Sequence, residues 1–535
     1  LNGLAIGFGE RGTPMFPDGQ PRAGAARRTI ALALRLVLGL CVGGSLPIAA
    51  RANDARPKAP LADAAEKSDW DRVVSMLNER AGVGAAQPDG MTALHWAAYH
   101  DNLDVAKALL AAGADAKGAN AYGVTPLSLA CTNGDGAMVT MLLAAGADAN
   151  TTLRGGETAL MTAARSGRVE AVRALLDAGA KVDATDRKGQ TALMWAAADG
   201  HAQVVAALVA AGADVHKRLK SGFTPMQFAA REGRAEVVRT LLKAGVDVNE
   251  AIETQVRSNG ITARNGMSAL VMAVENGHFE LASELLKAGA NPNDERSGYT
   301  PLHILSWVRK PNRGDDPDGQ PPPTGSGNMT SLQLVRDLVA HGAKVNTRLA
   351  RGPGGRGKLN MTGATAFLLA ARTDDLPYMK LLVELGADPL LANKDGATPL
   401  MAAAGLGTLA PDEEAGTEDE ALAAVAYLLT LGADLNTVDH NGETAMHGAA
   451  YKSLPKMVRF LADKGAKVDV WNHKDKYGWT PLLLAQGFRP GNFKPSAETI
   501  EAVERVMRAA GVTPPPPPKP TTAPAGYDEP AKAAK

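Results

Sequence analysis

Large aromatic side chains are scarce. Phe, Tyr and Trp make up 4% of the 535 residues, although 45% of the chain is hydrophobic. Ala and Leu carry most of that apolar content, which points to small residues at close helix–helix contacts. A chain of this length also exceeds what one hydrophobic core normally organises. Cysteine is nearly absent, with only Cys41 and Cys131. A chain that loses its first fifty residues keeps one thiol and no internal disulfide, so cysteine usage does not place the compartment. Charge of either sign is not in excess: 57 basic residues balance 57 acidic ones. That excludes a chain adapted as a whole to nucleic acid, while leaving local patches open. Long apolar runs are missing except for one, between Ile30 and Ala50.

That run follows Arg27 and Arg28 and gives way to small residues ending in Ala50-Arg51-Ala52. A basic segment, an apolar segment and an A-x-A pattern in that order form a secretory signal. Counting from Met15 gives the better-proportioned signal. Cleavage before Asn53 leaves 51 basic and 55 acidic residues. The expectation is an exported protein, periplasmic or extracellular, without stable membrane insertion. The alternative is an anchor formed by residues 30–50, which requires Arg35 to be tolerated in the bilayer.

The abundant feature is a repeated phrase. Threonine opens it at Thr92, Thr125, Thr158, Thr191 and Thr224, each 33 residues after the last. It recurs at Ser268, Thr300, Thr365, Thr398, Thr444 and Thr480. A Gly-Ala-Asp variant follows 21 residues later, as at Gly113, Gly146 and Gly179. The threonine can cap a short helix whose first turn holds Ala or Pro. Leucine pairs such as Leu109-Leu110 and Leu142-Leu143 supply the inward face of a second helix. The glycines sit where a left-handed residue ends it. One such unit cannot bury its apolar face alone, so stacking must build the core.

Thirty-three residues with T-[AP]-L near the front and GAD-x-N near the end resemble the ankyrin repeat. The resemblance runs over about residues 57–511 and implies an all-α solenoid of stacked helix-turn-helix units with finger-like turns between repeats. Residues 53–88 read as an N-terminal capping repeat, with Leu61–Ala65 one period before Leu94–Ala98. Residues 89–511 read as the array, with additions near 250–264, 309–330, 347–361 and 406–420. Residues 512–535, rich in Pro, Ala and Lys, read as a disordered tail. The first and third additions fall in turns between repeats. The second and fourth fall between the two helices of a repeat. The finger side is basic, from Arg154 to Lys358. The inter-helix additions are acidic, with Asp315, Asp316 and Asp318, then Asp412 to Glu420.

No metal, cofactor or catalytic motif stands out. His95, His303 and His447 occupy the T-x-L-H position, which the resemblance assigns to a brace between adjacent turns. Cys131 takes a small buried slot and Trp96 and Trp195 read as core. Asp315–Gly319 lacks the length and closing Glu of a calcium loop. Family geometry exposes the residues before each threonine and those seven and eight after it. On that basis the candidate partner-binding residues are Tyr99, Tyr122, Arg154, Arg165, Lys188, Phe223, Arg231, Arg264 and Tyr299. His100, Met267, Tyr451, Lys452, Tyr477 and Trp479 share those positions. Arginine and aromatic residues dominate interface hot spots. The expected function is a non-enzymatic, monomeric scaffold. Its concave groove and finger loops would bind a protein with an acidic or mixed surface, and not nucleic acid. A carbohydrate or cell-envelope polymer is the alternative ligand. A further expectation to test is whether the acidic addition Asp412–Glu420 folds across the basic strip.

Overall fold

Each threonine phrase does become a helix start. In a computed structural model, which describes residues 59–253, 265–313, 321–411, 413–488 and 494–516, Thr92 Oγ1 accepts from the His95 backbone N–H. Thr125, Thr158, Thr191, Thr365, Thr398 and Thr480 cap their helices the same way. Pro126, Pro225, Pro301, Pro399 and Pro481 occupy the first helical turn, where a missing N–H costs nothing. Gly113, Gly146, Gly179 and Gly212 all have φ between 82° and 93° just beyond the second helix. A side chain there would strain the backbone.

Twelve helix pairs follow one another among the described residues. The first helices run from Pro60–Glu66 and Ala93–Tyr99 to Ala445–Tyr451 and Pro481–Ala485. The second helices run from Trp70–Asn78 and Leu103–Ala111 to Pro455–Asp463 and Ala497–Ala509. First helices pack on first helices and second on second, giving two helical layers with the core between them. The only ladder-type contacts described are four isolated bridges in turns, so the fold is an all-α solenoid. Alanine makes the close spacing possible: Ala93, Ala97 and Ala98 are each fully buried, as are Ala163, Ala164, Ala196 and Ala197.

Two hydrogen-bond ladders tie neighbouring units together. At the turn between the helices, a side chain donates to a carbonyl near the end of the preceding first helix. His100 Nε2 reaches Glu66 O at 3.2 Å, Asn133 Nδ2 reaches Ala98 O at 3.0 Å, and His201 Nε2 reaches Arg165 O at 3.0 Å. Arg234 Nε reaches Ala198 O at 3.0 Å and His278 Nε2 reaches Arg231 O at 2.9 Å. At the other edge the Asn of GAD-x-N makes a two-way clasp. Asn150 donates to Gly179 O and accepts from Lys181 N, and Asn249, Asn293 and Asn346 repeat the pattern with the next unit. Both ladders satisfy backbone groups that helix ends leave open.

The additions are folded against the array. Residues 321–330 return toward earlier units: Ser326 N donates to His278 Nδ1 at 2.9 Å and Asn328 N to Glu280 at 2.7 Å. The first finger addition begins with a tight base in which Ile252 N donates to Met267 O and Gly266 N to Ile252 O. Its tip lies outside the described residues, as does the Asp315–Gly319 segment.

The third and fourth additions change the architecture most. They create a second apolar cluster, separate from the inter-layer core, containing Leu349, Leu359, Leu406, Tyr451 and Trp479. In the helix Ala366–Arg372, Phe367 and Ala370 enter the main core while Leu368 and Leu369 enter the second. In Pro399–Ala403, Leu400 faces one cluster and Met401 the other. First helices here bury two faces. The run Glu418–Glu420, read from sequence as part of a loop addition, is instead the first turn of the helix Glu418–Thr430, capped by Thr417. Three carboxylates at that end suit the positive pole of the helix. Val512 also departs from expectation: it packs partly on the main core rather than belonging to a tail.

Candidate binding surface

In the regular units, three arginines are held on aromatic rings: exposed Arg154 and Arg165 on rings of a neighbouring repeat, and half-buried Arg231 on two rings of its own. Arg154 lies 5.5 Å from the Tyr122 ring centre and donates to Ala121 O at 2.6 Å. Arg165 lies 5.1 Å from the Trp195 ring and 4.0 Å from Asp199. Arg231 stacks over both Phe223 and Phe228, at 5.5 and 5.3 Å, and pairs with Glu232. Such stacking fixes a long side chain while leaving its charge in water. Tyr122 is 47% exposed, Lys188 is exposed, and Tyr99 is half-buried in a cluster with Trp96 and His100. Tyr299 is half-buried against Trp307, edge to face at 5.0 Å.

Several sequence-based assignments need correction. Phe223 is buried at 6% exposure, tucked against Phe228 under the Arg231 guanidinium, so it supports the surface and does not present itself. Met267, Tyr451, Lys452 and Trp479 are buried too. Tyr99 and Tyr451 sit at the same place in their repeats, yet Tyr451 is fully buried because the added segments cover it. Arg356, from the third addition, lies over the Trp479 ring at 5.0 Å. Arg264 lies outside the described residues. Trp195 was read as core, but it is half-buried with Arg165 on its face. The signal was present in sequence, since residues three short of one period apart face each other across neighbouring first helices.

Among the described residues, the acidic addition makes no ion pair with Arg165, Lys188 or Arg231. Its carboxylates find cations in their own neighbourhood. Glu414 pairs with Arg372 at 3.3 Å, Glu420 with Lys310 at 2.6 Å and Asp419 with Lys456 at 2.9 Å. The described carboxylates of this segment thus leave the basic strip of the regular units unpaired with them.

The family model for ankyrin repeats (3 copies) matches residues 61–310 in five overlapping stretches and 415–493 in a sixth, together more than half the chain. The chain belongs to the ankyrin-repeat family. Ankyrin repeats are protein–protein interaction scaffolds. Over 208 residues the chain is 34% identical to neurogenic locus notch homolog protein 1 of Danio rerio, covering 35% of this chain and 8% of that one. It is 32% identical to the B-cell lymphoma 3 protein homolog of Mus musculus, covering 38% of this chain and 36% of that one. The chain thus spans little more than a third, at most, of these relatives. Among solved structures, the human ASB11 ankyrin repeat domain aligns with 40% of this chain and 92% of its own, at 27% identity and a TM-score of 0.35. The stretch left unmatched between 311 and 414 holds nearly all of the second addition, the whole of the third, the start of the fourth and much of the second apolar cluster.

His95 and His303 act as braces between adjacent turns, while His447 bonds Thr444 of its own repeat. His95 Nδ1 bonds Thr92 Oγ1 at 2.8 Å and Nε2 bonds Val124 O of the next repeat at 3.1 Å. His303 links Thr300 to Ala364 O in the same way. Burial holds the His303 imidazole down to about 4, so it stays neutral in this role. Cys131 is fully buried, which pushes its thiol up to about 12 and leaves it unreactive. Among the described residues no group of three His, Cys, Asp or Glu side chains is arranged to hold a metal ion.

One finger carries a buried acid with a pH consequence. Burial, with Asp439 and Asp475 nearby, pushes the Glu443 carboxyl up to about 8 from an ordinary value of 4.5. The folded state therefore binds this proton more tightly than the unfolded chain. Its stabilising contribution is full below pH 4.5 and is lost as pH rises toward 8. Glu443→Gln should match the parent near pH 4 and exceed it by on the order of 2 kcal/mol near pH 9, less than the full shift implies because local opening admits water. Thermal midpoints of both proteins across that range check this. Parallel curves would show that Glu443 is ionised throughout.

Proposed function

We propose that this ankyrin array is a non-enzymatic scaffold that binds a protein of acidic or mixed surface. The contact surface would be the concave face of the regular repeats between Thr92 and Gly245, with their finger turns. The observation that carries the reading is the row of arginines seated on rings, Arg154 on Tyr122, Arg165 on Trp195 and Arg231 on Phe223 and Phe228. A cation held in place loses less freedom on binding than a mobile one, and a ring beneath it offers apolar area. Lys188, which is exposed, extends the strip. Tyr99 and Tyr122 supply exposed apolar edges, and Tyr299 lies beyond the regular units. The same reading takes the protein as a monomer, and takes it as exported on the strength of the Arg27-Arg28, Ile30–Val42 and Ala50-Arg51-Ala52 pattern. Residues 1–58, which carry that pattern, lie outside the described residues.

Charge at an exposed rim acts mainly on encounter. With the partner in hand, changing Arg165 and Lys188 together to Glu should slow association about tenfold and flatten its salt dependence, while the helical signal stays unchanged. Both positions are exposed, so the fold is spared. Unchanged association and salt dependence would sink the basic-strip reading. Retention by anionic polysaccharide alone, with no protein partner, would favour the polymer ligand.

A further inference from the structure

The second and third additions meet around a cavity beside the repeat that begins at Thr300. It has a volume of about 420 Å³. Tyr299 and Trp307, edge to face at 5.0 Å, form one wall from the repeat that begins at Thr300. Pro353 and Met361, from the third addition, form another, and Arg372 lies at the margin with Glu414 as its ion partner. Asn312, Thr373 and Ser306 add polar groups to the lining; the Thr373 hydroxyl is already bonded within its helix, and Ser306 is the distinctive one. Its hydroxyl is buried, the residue being 1% exposed, and has no hydrogen-bond partner among the described residues.

These features select a ligand. A volume in the range of small-molecule sites, walls that are mostly apolar and a single unsatisfied hydroxyl suit a compact ring with one polar substituent. The edge-to-face pair leaves a ring face and a ring edge open, the geometry aromatic groups prefer. The nearby guanidinium is already neutralised by Glu414, so the site offers little to a charged ligand. An unpartnered buried hydroxyl is costly to the free protein, and a ligand that supplies the missing hydrogen bond removes that cost. We propose that this cavity binds a neutral phenol-type ring, either as a free small molecule or as a tyrosine side chain of a peptide. The ring would lie against Trp307 and Tyr299, with its hydroxyl bonded to Ser306 Oγ. This site is separate from the basic strip and does not depend on the protein-binding reading.

Isothermal titration of the full chain with p-cresol, and separately with the blocked tripeptide acetyl-Ala-Tyr-Ala-amide, tests this. Saturable one-site binding of either supports the site, and the tighter of the two identifies the source. Ser306→Ala should weaken binding by about tenfold, the value of one good hydrogen bond. Toluene, which lacks the hydroxyl, should bind the parent and Ser306→Ala equally. Met361→Trp should fill the cavity and abolish binding. Circular dichroism checks that it folds, and Trp307→Leu, which removes the ring wall but keeps apolar volume, provides a second loss variant. No saturable binding by either probe would overturn the proposal. So would binding that Ser306→Ala, Met361→Trp and Trp307→Leu all leave intact.

Discussion

Lys452→Met should destabilise the C-terminal half by about 3–5 kcal/mol, the cost of stranding one member of a buried ion pair. Lys452 Nζ lies 2.6 Å from Asp374 Oδ2 and donates to Ala415 O at 2.9 Å. The two side chains are 3% and 0% exposed. One lysine thus joins three segments: its own repeat, the junction before the helix Leu376–Glu384, and the acidic addition. Burial pushes the Asp374 carboxyl up to about 7, with Lys452 and Lys310 pulling against it. Because the folded value is raised, stability from this group falls as pH climbs from about 4 toward 7. Removing Lys452 takes away the main counter-charge and raises the carboxyl further. The variant should then lose more at pH 8 than at pH 5. Asp374→Asn in the same chain should recover most of the loss. It removes the orphaned charge, and asparagine tolerates the left-handed backbone here, where φ is 55°. Chemical denaturation at both pH values reads all three proteins. Equal stability of the single and double variants would show that the pair carries no special weight.

The second large effect is local. Leu142 is fully buried in the helix Gly136–Ala144, which packs on Val169–Asp177. Leu142→Ala should cost about 2–5 kcal/mol, with the spread set by how far the site collapses. In a solenoid each unit touches only its neighbours, so the damage should not spread evenly. Hydrogen exchange should accelerate across residues 126–177 and stay near parental values across residues 445–463. The second apolar cluster strengthens this contrast. It ties Leu349 and Leu359 to Tyr451 and Trp479, and so binds four C-terminal repeats into one block. A uniform rise in exchange along the array would contradict nearest-neighbour coupling.

The difference between Tyr99 and Tyr451 shows how far a repeat pattern reaches. Both follow their threonine by seven residues, and the repeat register predicts the same exposure for both. One is half-exposed and the other fully buried. The register describes how each unit stacks on the next, and it does so well for helix starts, helix ends and core leucines. It is silent about what an added segment does after it leaves the register. The Leu349–Leu359 segment carries its own apolar residues, and no periodicity says which face they will cover.

Phe223 marks a subtler failure. The residue before the threonine was read as surface, yet its ring turns under Arg231 and against Phe228. The arginine that covers it is eight residues further on, so the three side chains settle a packing problem together. Position alone could not divide them into anchor and support.

By itself the sequence determined the all-α solenoid, its period, the capping threonines, the left-handed glycines and the family. These are set by neighbours within a few residues or one repeat away, where chain geometry leaves few choices. Only the tertiary structure decided that two added segments close over the later first helices. It likewise decided that Lys452 meets Asp374 across 78 residues of chain, and that a cavity opens beside Trp307. Those contacts depend on volumes and charges brought together by the stacked array, and a local pattern carries no record of them.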